Sequence, residues 1–231
     1  MYIYNYILFL FILSISHSLK IITCNPGGLY GFYMLGVSKY IKEHYDLKDA
    51  IYYGASAGSW NSIYLSFKSD GNKFIKDVEN IDVSNMKNMF SIENIIKKNL
   101  LHNYNTNDFD LHKINICVGV FKKYKIKKTI FSNFNDLEDT INCCIASSHI
   151  PYITNNNLFN LYNNQLCIDG GFFREPLPDN IEADLVLSPI MWNITNINYL
   201  SKIKTLNITN FINSGYEDSH KHRDELDLKL L

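Results

Sequence analysis

Apolar and polar positions fall into blocks along the chain whose period switches between that of a strand and that of a helix. Lys20 to Cys24 is a short β-type run that ends in Asn25-Pro26-Gly27-Gly28, a turn. Met34, Val37 and Ile41 then sit at offsets of three and seven, one face of a helix reaching about His44. Ala50 to Tyr53 is a second apolar run, broken by Gly54, with a helical stretch after it from Gly58 to about Phe67. From Ser69 to Asp110 the chain is more polar and helical; its best helix starts at Ser91, with Ile92, Ile95, Ile96 and Leu100 along one side. No proline interrupts the chain between Pro26 and Pro151, which suits helices. Ile114 to Phe121 and Lys125 to Phe131 predict two strands around a tight connection. Further strands are predicted at Gln165 to Ile168, Asp184 to Ser188 and Lys204 to Ile208. Strands interleaved with helices, without an internal repeat, predict an α/β fold: a three-layer sandwich with a mostly parallel central sheet.

Composition narrows the class. A chain of 231 residues, 46% apolar and 19% charged, holds one domain with a sizeable core and excludes wholesale disorder. Its 22 basic against 23 acidic residues leave a net charge of −1, so it lacks the basic surplus of a dedicated nucleic-acid binder. Cys24, Cys117, Cys143, Cys144 and Cys167 contain no CxxC pair and read as buried small hydrophobes, not as a zinc site or a disulfide framework. The one basic run, Lys122 to Lys128 (KKYKIKK), reads as a solvated hairpin or as a contact with anionic lipid.

Residues Met1 to Ser16 stand apart: apolar except for Asn5, the tyrosines and the serines, and free of Lys and Arg. Ile7 to Leu13 has the length of a signal-peptide core, with small-residue cleavage sites after it, and the stretch is short for a membrane span. A cleaved signal, an uncleaved anchor and a folded element all stay open for residues 1–18. Two sequons, at Asn193 and Asn207, are compatible with secretion.

The candidate chemistry lies on two turns and a distant carboxylate. Gly54-Ala55-Ser56-Ala57-Gly58 follows a predicted strand and opens a helix, the context in which GxSxG carries a nucleophilic serine. The helix after it offers unpaired N–H groups to a developing oxyanion. Gly27-Gly28-Leu29-Tyr30-Gly31 also joins a strand to a helix, so its amides can converge on an anion; a P-loop would need Lys and Ser/Thr next, and Phe32 and Tyr33 follow instead. Two parallel βα units place both loops at the carboxyl edge of one sheet. A nucleophilic serine needs a base, and Asp169 in Ile168-Asp169-Gly170-Gly171 follows another predicted strand.

These three motifs, in this order, resemble the patatin-like phospholipase family, and most of all its adiponutrin-like branch. Leu35-Gly36-Val37 in the first helix, Asn142 to Pro151 as a small-residue helix ending in proline, Leu187-Ser188-Pro189 and Gly215-Tyr216-Glu217-Asp218 extend the likeness over about Leu19 to Arg223. The resemblance implies a domain over residues 19–223 followed by a polar tail at 224–231. It implies a lipid acyl hydrolase that works through a Ser–Asp dyad, with Ser56 the nucleophile and Asp169 the base. Gly27, Gly28 and Gly31 would shape the oxyanion hole, with Gly54, Gly58 and Gly170 supporting the turns. No cofactor, no metal and no nucleic-acid partner is implied; the partner is a lipid substrate at a membrane or lipid-droplet surface. With the apolar N-terminus this makes the protein secreted or membrane-associated, or otherwise cytoplasmic at lipid surfaces. Two positions depart from the family pattern. Pro26, which has no N–H, stands where the family usually has its first glycine, and Arg174-Glu175 where it often has Asn. Two other readings stay open: an α/β-hydrolase triad using His220 or His222, and a lipid-binding protein with a lapsed site.

Overall fold

The computed structural model of the protein describes residues 19–81, 89–192 and 207–231. The apolar segment 1–18 and the sequon at Asn193 lie outside the described residues; among these, no helix is long and apolar enough to cross a membrane. The strands are β1 (Lys20–Cys24), β2 (Ala50–Gly54), β3 (Ile114–Lys122), β4 (Lys125–Phe131), β5 (Asn160–Tyr162), β6 (Gln165–Ile168) and β7 (Leu185–Leu187). The helices are α1 (Gly31–His44), α2 (Ala57–Ser66), α3 (Gly71–Glu79), α4 (Met89–Asn103), α5 (Leu137–Ser147), α6 (Ile208–Lys221) and α7 (Arg223–Leu230).

The seven strands of the described residues form one mostly parallel sheet, and with its helices the molecule is a mixed α/β protein consistent with a three-layer sandwich. Pairing runs β5-β6-β3-β2-β1-β7, with β4 on β3. In β2 Ala50, Tyr52 and Gly54 are buried and Ile51 and Tyr53 half-buried, so neither face meets open solvent, as expected of a sheet covered on both sides. The lysine-bearing β4 is more exposed, as an edge strand should be. Helices α1 and α6 cross in close contact: a Cβ at Gly36 would fall 1.9 Å from the Ile212 carbonyl oxygen, and one at Gly215 2.0 Å from that of Tyr33.

The register around β3 decides where the loops meet. β4 pairs with β3 at Ile116 (to Phe131) and at Gly119 (to Lys128). A strand residue has one neighbour on each side, so β2, paired to Ile116 through Gly54, lies along the opposite edge. So does β6, paired to Gly119 through Ile168. β2 runs parallel to β3 and β6 antiparallel, so the two approach each other end to end. The residues that leave them, Ala55-Ser56 and Asp169-Gly170, meet beside Cys117.

One strand is added to those expected, one expected strand is corrected, and the polar tail gains a defined structure. Asn160–Tyr162, too short to show a period, forms β5, joined to β6 by the two-residue loop Asn163-Asn164 with both φ angles positive, 48° and 56°. Ile208, expected to end a strand, opens α6: the Asn207 side chain accepts a hydrogen bond from the Asn210 N–H and caps that helix. Residues 204–206 of that expected strand lie outside the described residues. The expected polar tail at 224–231 is helical, and Leu226 and Leu230 are buried against β1, β7 and α1. Only two apolar anchors spaced by one turn were needed, and the polar residues around them hid the pattern.

Candidate active site

Ser56 sits where β2 turns into α2, with φ 53° and ψ −128°, a conformation that side chains rarely adopt. Such a backbone costs about 1–3 kcal/mol and persists only where its surroundings hold it. Here the Ser56 N–H donates to Ser147 Oγ (2.9 Å), whose hydroxyl donates to the Cys117 carbonyl (2.7 Å). The Ser59 hydroxyl donates to the Ser56 carbonyl (2.6 Å). Two glycines are required by close approach: a Cβ at Gly58 would lie 1.8 Å from the Cys24 carbonyl oxygen, and one at Gly170 2.1 Å from that of Cys117.

The Ser56 hydroxyl donates to Asp169 Oδ2 at 2.9 Å, 113 residues away in sequence. Asp169 Oδ1 accepts from the Gly171 N–H (2.5 Å), and the Asp169 N–H donates to the His149 carbonyl (2.7 Å). Both side chains of the pair are buried. Burial pushes the Asp169 carboxyl up from 3.8 to about 6, against the opposing hydrogen bonds from Gly171 and Ser56. At neutral pH it is an ionised acceptor with a basicity well above that of an exposed carboxylate.

A narrow cavity of about 100 Å3 opens onto Ser56. Its walls are mostly apolar: Phe32 and Leu35 of α1, Phe74 and Val78 of α3, Ile92 and Leu100 of α4. Gly28 and Gly31 of the glycine loop line it beside Ser56 and Ala57. Gly28 has φ 53°, and the loop closes with Tyr30 N–H to the Gly27 carbonyl and Gly31 N–H to that of Gly28. The Gly31 N–H is therefore spent within the loop, and its contribution is space: a Cβ there would lie 2.9 Å from that of Ala57. Gly27 packs beside the site, against Pro189 and Met34, and Gly54 against the first turn of α2. Pro26 faces the turn after Asp169, where a Cβ on Gly171 would lie 3.0 Å from its ring.

His220 and His222 are placed elsewhere, at the end of α6, with rings 6.2 Å from that of Tyr40 and 4.8 Å from that of Trp192. The five cysteines are buried and free, their thiols discouraged from ionising; that of Cys24 is pushed up to about 12 by burial. Three site residues escaped the sequence. Ser147 and Ser148 lie in a run notable only for small residues. Ser148 Oγ accepts from Trp60 Nε1 (3.1 Å) and donates to the Cys144 carbonyl (2.9 Å). Glu93, on the otherwise apolar side of α4, lines the cavity and is 4% exposed. Burial drives its carboxyl well above the carboxylate range, the charge of Asp169 adds to this, and a hydrogen bond with Ser148 opposes it. A buried carboxyl in a polar helix leaves no mark in the sequence.

Compared with known proteins, the chain matches no family model, and no curated protein matches it.

Proposed function

We propose that the protein is a serine ester hydrolase acting on lipid acyl esters, phospholipid or acylglycerol, through a Ser56–Asp169 dyad in a patatin-like domain. The single observation that carries this is the 2.9 Å hydrogen bond from a serine in strained elbow geometry to a buried carboxylate, at the mouth of an apolar cavity. Ser56 Oγ attacks the ester carbonyl as its proton passes to Asp169 Oδ2. The oxyanion is received by amides the fold leaves unspent. In the first turn of α2, the Gly58 N–H bonds back to Ala55 and the Ser59 N–H to Ser56, which leaves that of Ala57. In the glycine loop those of Gly28 and Leu29, both on the cavity wall, are left. Asp169 then returns the proton to the departing alcohol, and water activated by the same carboxylate releases the acyl group from Ser56.

The lipid assignment is supported by the apolar walls and by the lip of the cavity. Ile150 and Thr154 line it, while Tyr152 and Ile153 between them stand 68% and 51% exposed, apolar surface beside the mouth. A fluorophosphonate probe tests the reading: it should label wild-type protein at Ser56 and leave Ser56→Ala unlabelled and inactive on dispersed phospholipid. An unlabelled wild type would establish the lapsed-site reading. Loss of activity in His220→Ala and His222→Ala equal to that in Asp169→Asn would establish the triad.

A further inference from the structure

We propose that Glu93 is a specificity-determining residue that reads a free hydroxyl on the substrate close to the scissile ester. The inference rests on the hydrolase reading of Ser56. Among the described residues, the other polar groups around the cavity are spent within the fold. Asn61 donates to the Gly31 and Ala57 carbonyls and accepts from Ser38, and Trp60 donates to Ser148. The Ser148 hydroxyl has a single hydrogen, which goes to the Cys144 carbonyl. Glu93, 4% exposed, brings a carboxyl to the wall of the cavity that Ser56 also lines, and a carboxyl oxygen is an acceptor whether the group is protonated or not. The Glu93 carboxyl oxygen then remains as an acceptor at the wall of an otherwise apolar slot. An unsubstituted alkyl chain displaces water from that oxygen and leaves it unpaired, whereas a hydroxyl pairs with it.

Placement fixes where the hydroxyl must be. Glu93 lines one cavity of about 100 Å3 together with Ser56 and with Ser148, the neighbour of the Ser147 that holds the Ser56 N–H, so its carboxyl shares the space into which the nucleophile opens. The hydroxyl belongs a few atoms from the ester carbonyl. It can come from a hydroxylated acyl chain or from the unesterified hydroxyl of a partly acylated glycerol.

Matched esters separate these sources: p-nitrophenyl 3-hydroxybutyrate against p-nitrophenyl butyrate, and monobutyrin against its di-O-methyl ether. In wild type, one pair should favour the hydroxylated member about tenfold in kcat/KM, the worth of one hydrogen bond to a buried group. Glu93→Gln keeps a carbonyl acceptor at that wall and should keep the preference. Glu93→Leu should bring the ratio near one. Less than threefold preference in both wild-type pairs overturns the proposal whether or not Glu93→Leu folds, and so does a preference that survives in Glu93→Leu. Absent labelling of wild type removes the hydrolase reading itself, whereas labelling without preference removes only the role of Glu93.

Discussion

Replacing Asp169 with Asn should make the protein more stable at alkaline pH while removing most turnover. The asparagine keeps an acceptor for the Gly171 N–H and can donate its amide to Ser56 Oγ, so the hydrogen bonds of the turn survive. What disappears is a charge that the fold holds at a cost. The Asp169 carboxyl is raised from 3.8 to about 6 by burial. At about 1.4 kcal/mol per pH unit this is a penalty of about 3 kcal/mol once the group is ionised. The folded state binds the proton more tightly than the unfolded chain, so wild type loses stability as pH rises through this window. The advantage of Asp169→Asn should be complete above about pH 6, roughly halved near pH 5 and lost below about pH 4. For a chain of this size the full difference is roughly 6–12 °C in melting temperature. Urea unfolding of both proteins at pH 8 and pH 5 measures it. A difference that does not change between the two pH values would refute the reasoning, as would an asparagine variant that loses ground as pH rises, the sign of a carboxylate stabilised by its partners.

The same ionisation should govern the rate. Because Asp169 accepts the Ser56 proton only when ionised, kcat/KM should rise tenfold per pH unit below about 6 and level off above it, in a pH–rate profile with soluble esters. Ser147→Ala removes the acceptor of the Ser56 N–H and the donor to the Cys117 carbonyl. It should cost about 1–3 kcal/mol in urea unfolding and lower kcat more than it raises KM. Since the proton moves directly between Ser56 and Asp169, excess chelator should leave phospholipid hydrolysis unchanged; inhibition reversed by added calcium would count against the dyad.

The sequence by itself determined the elements whose pattern is local. β1 and β2, the first two helices, the β3–β4 hairpin and β6 all show a period or a turn signal within a dozen residues. Their ordered motifs pointed to Ser56 and Asp169 before any contact was known. The Asn163-Asn164 turn was equally local and legible in principle. Tertiary structure decided the rest. Residues 113 positions apart are joined because β2 and β6 abut on one edge of β3, a matter of register that depends on how β4 pairs on the other edge. The same packing spent the Gly31 N–H inside its loop, turned Ser147 into the prop of a strained serine, and buried Leu226 of an apparently polar tail. It also drew Glu93 out of water into the wall of the cavity that Ser56 lines. Periodicity reports which face of an element is apolar. What a side chain meets there, and how far burial shifts its proton affinity, depends on partners that close sequence neighbourhood does not supply.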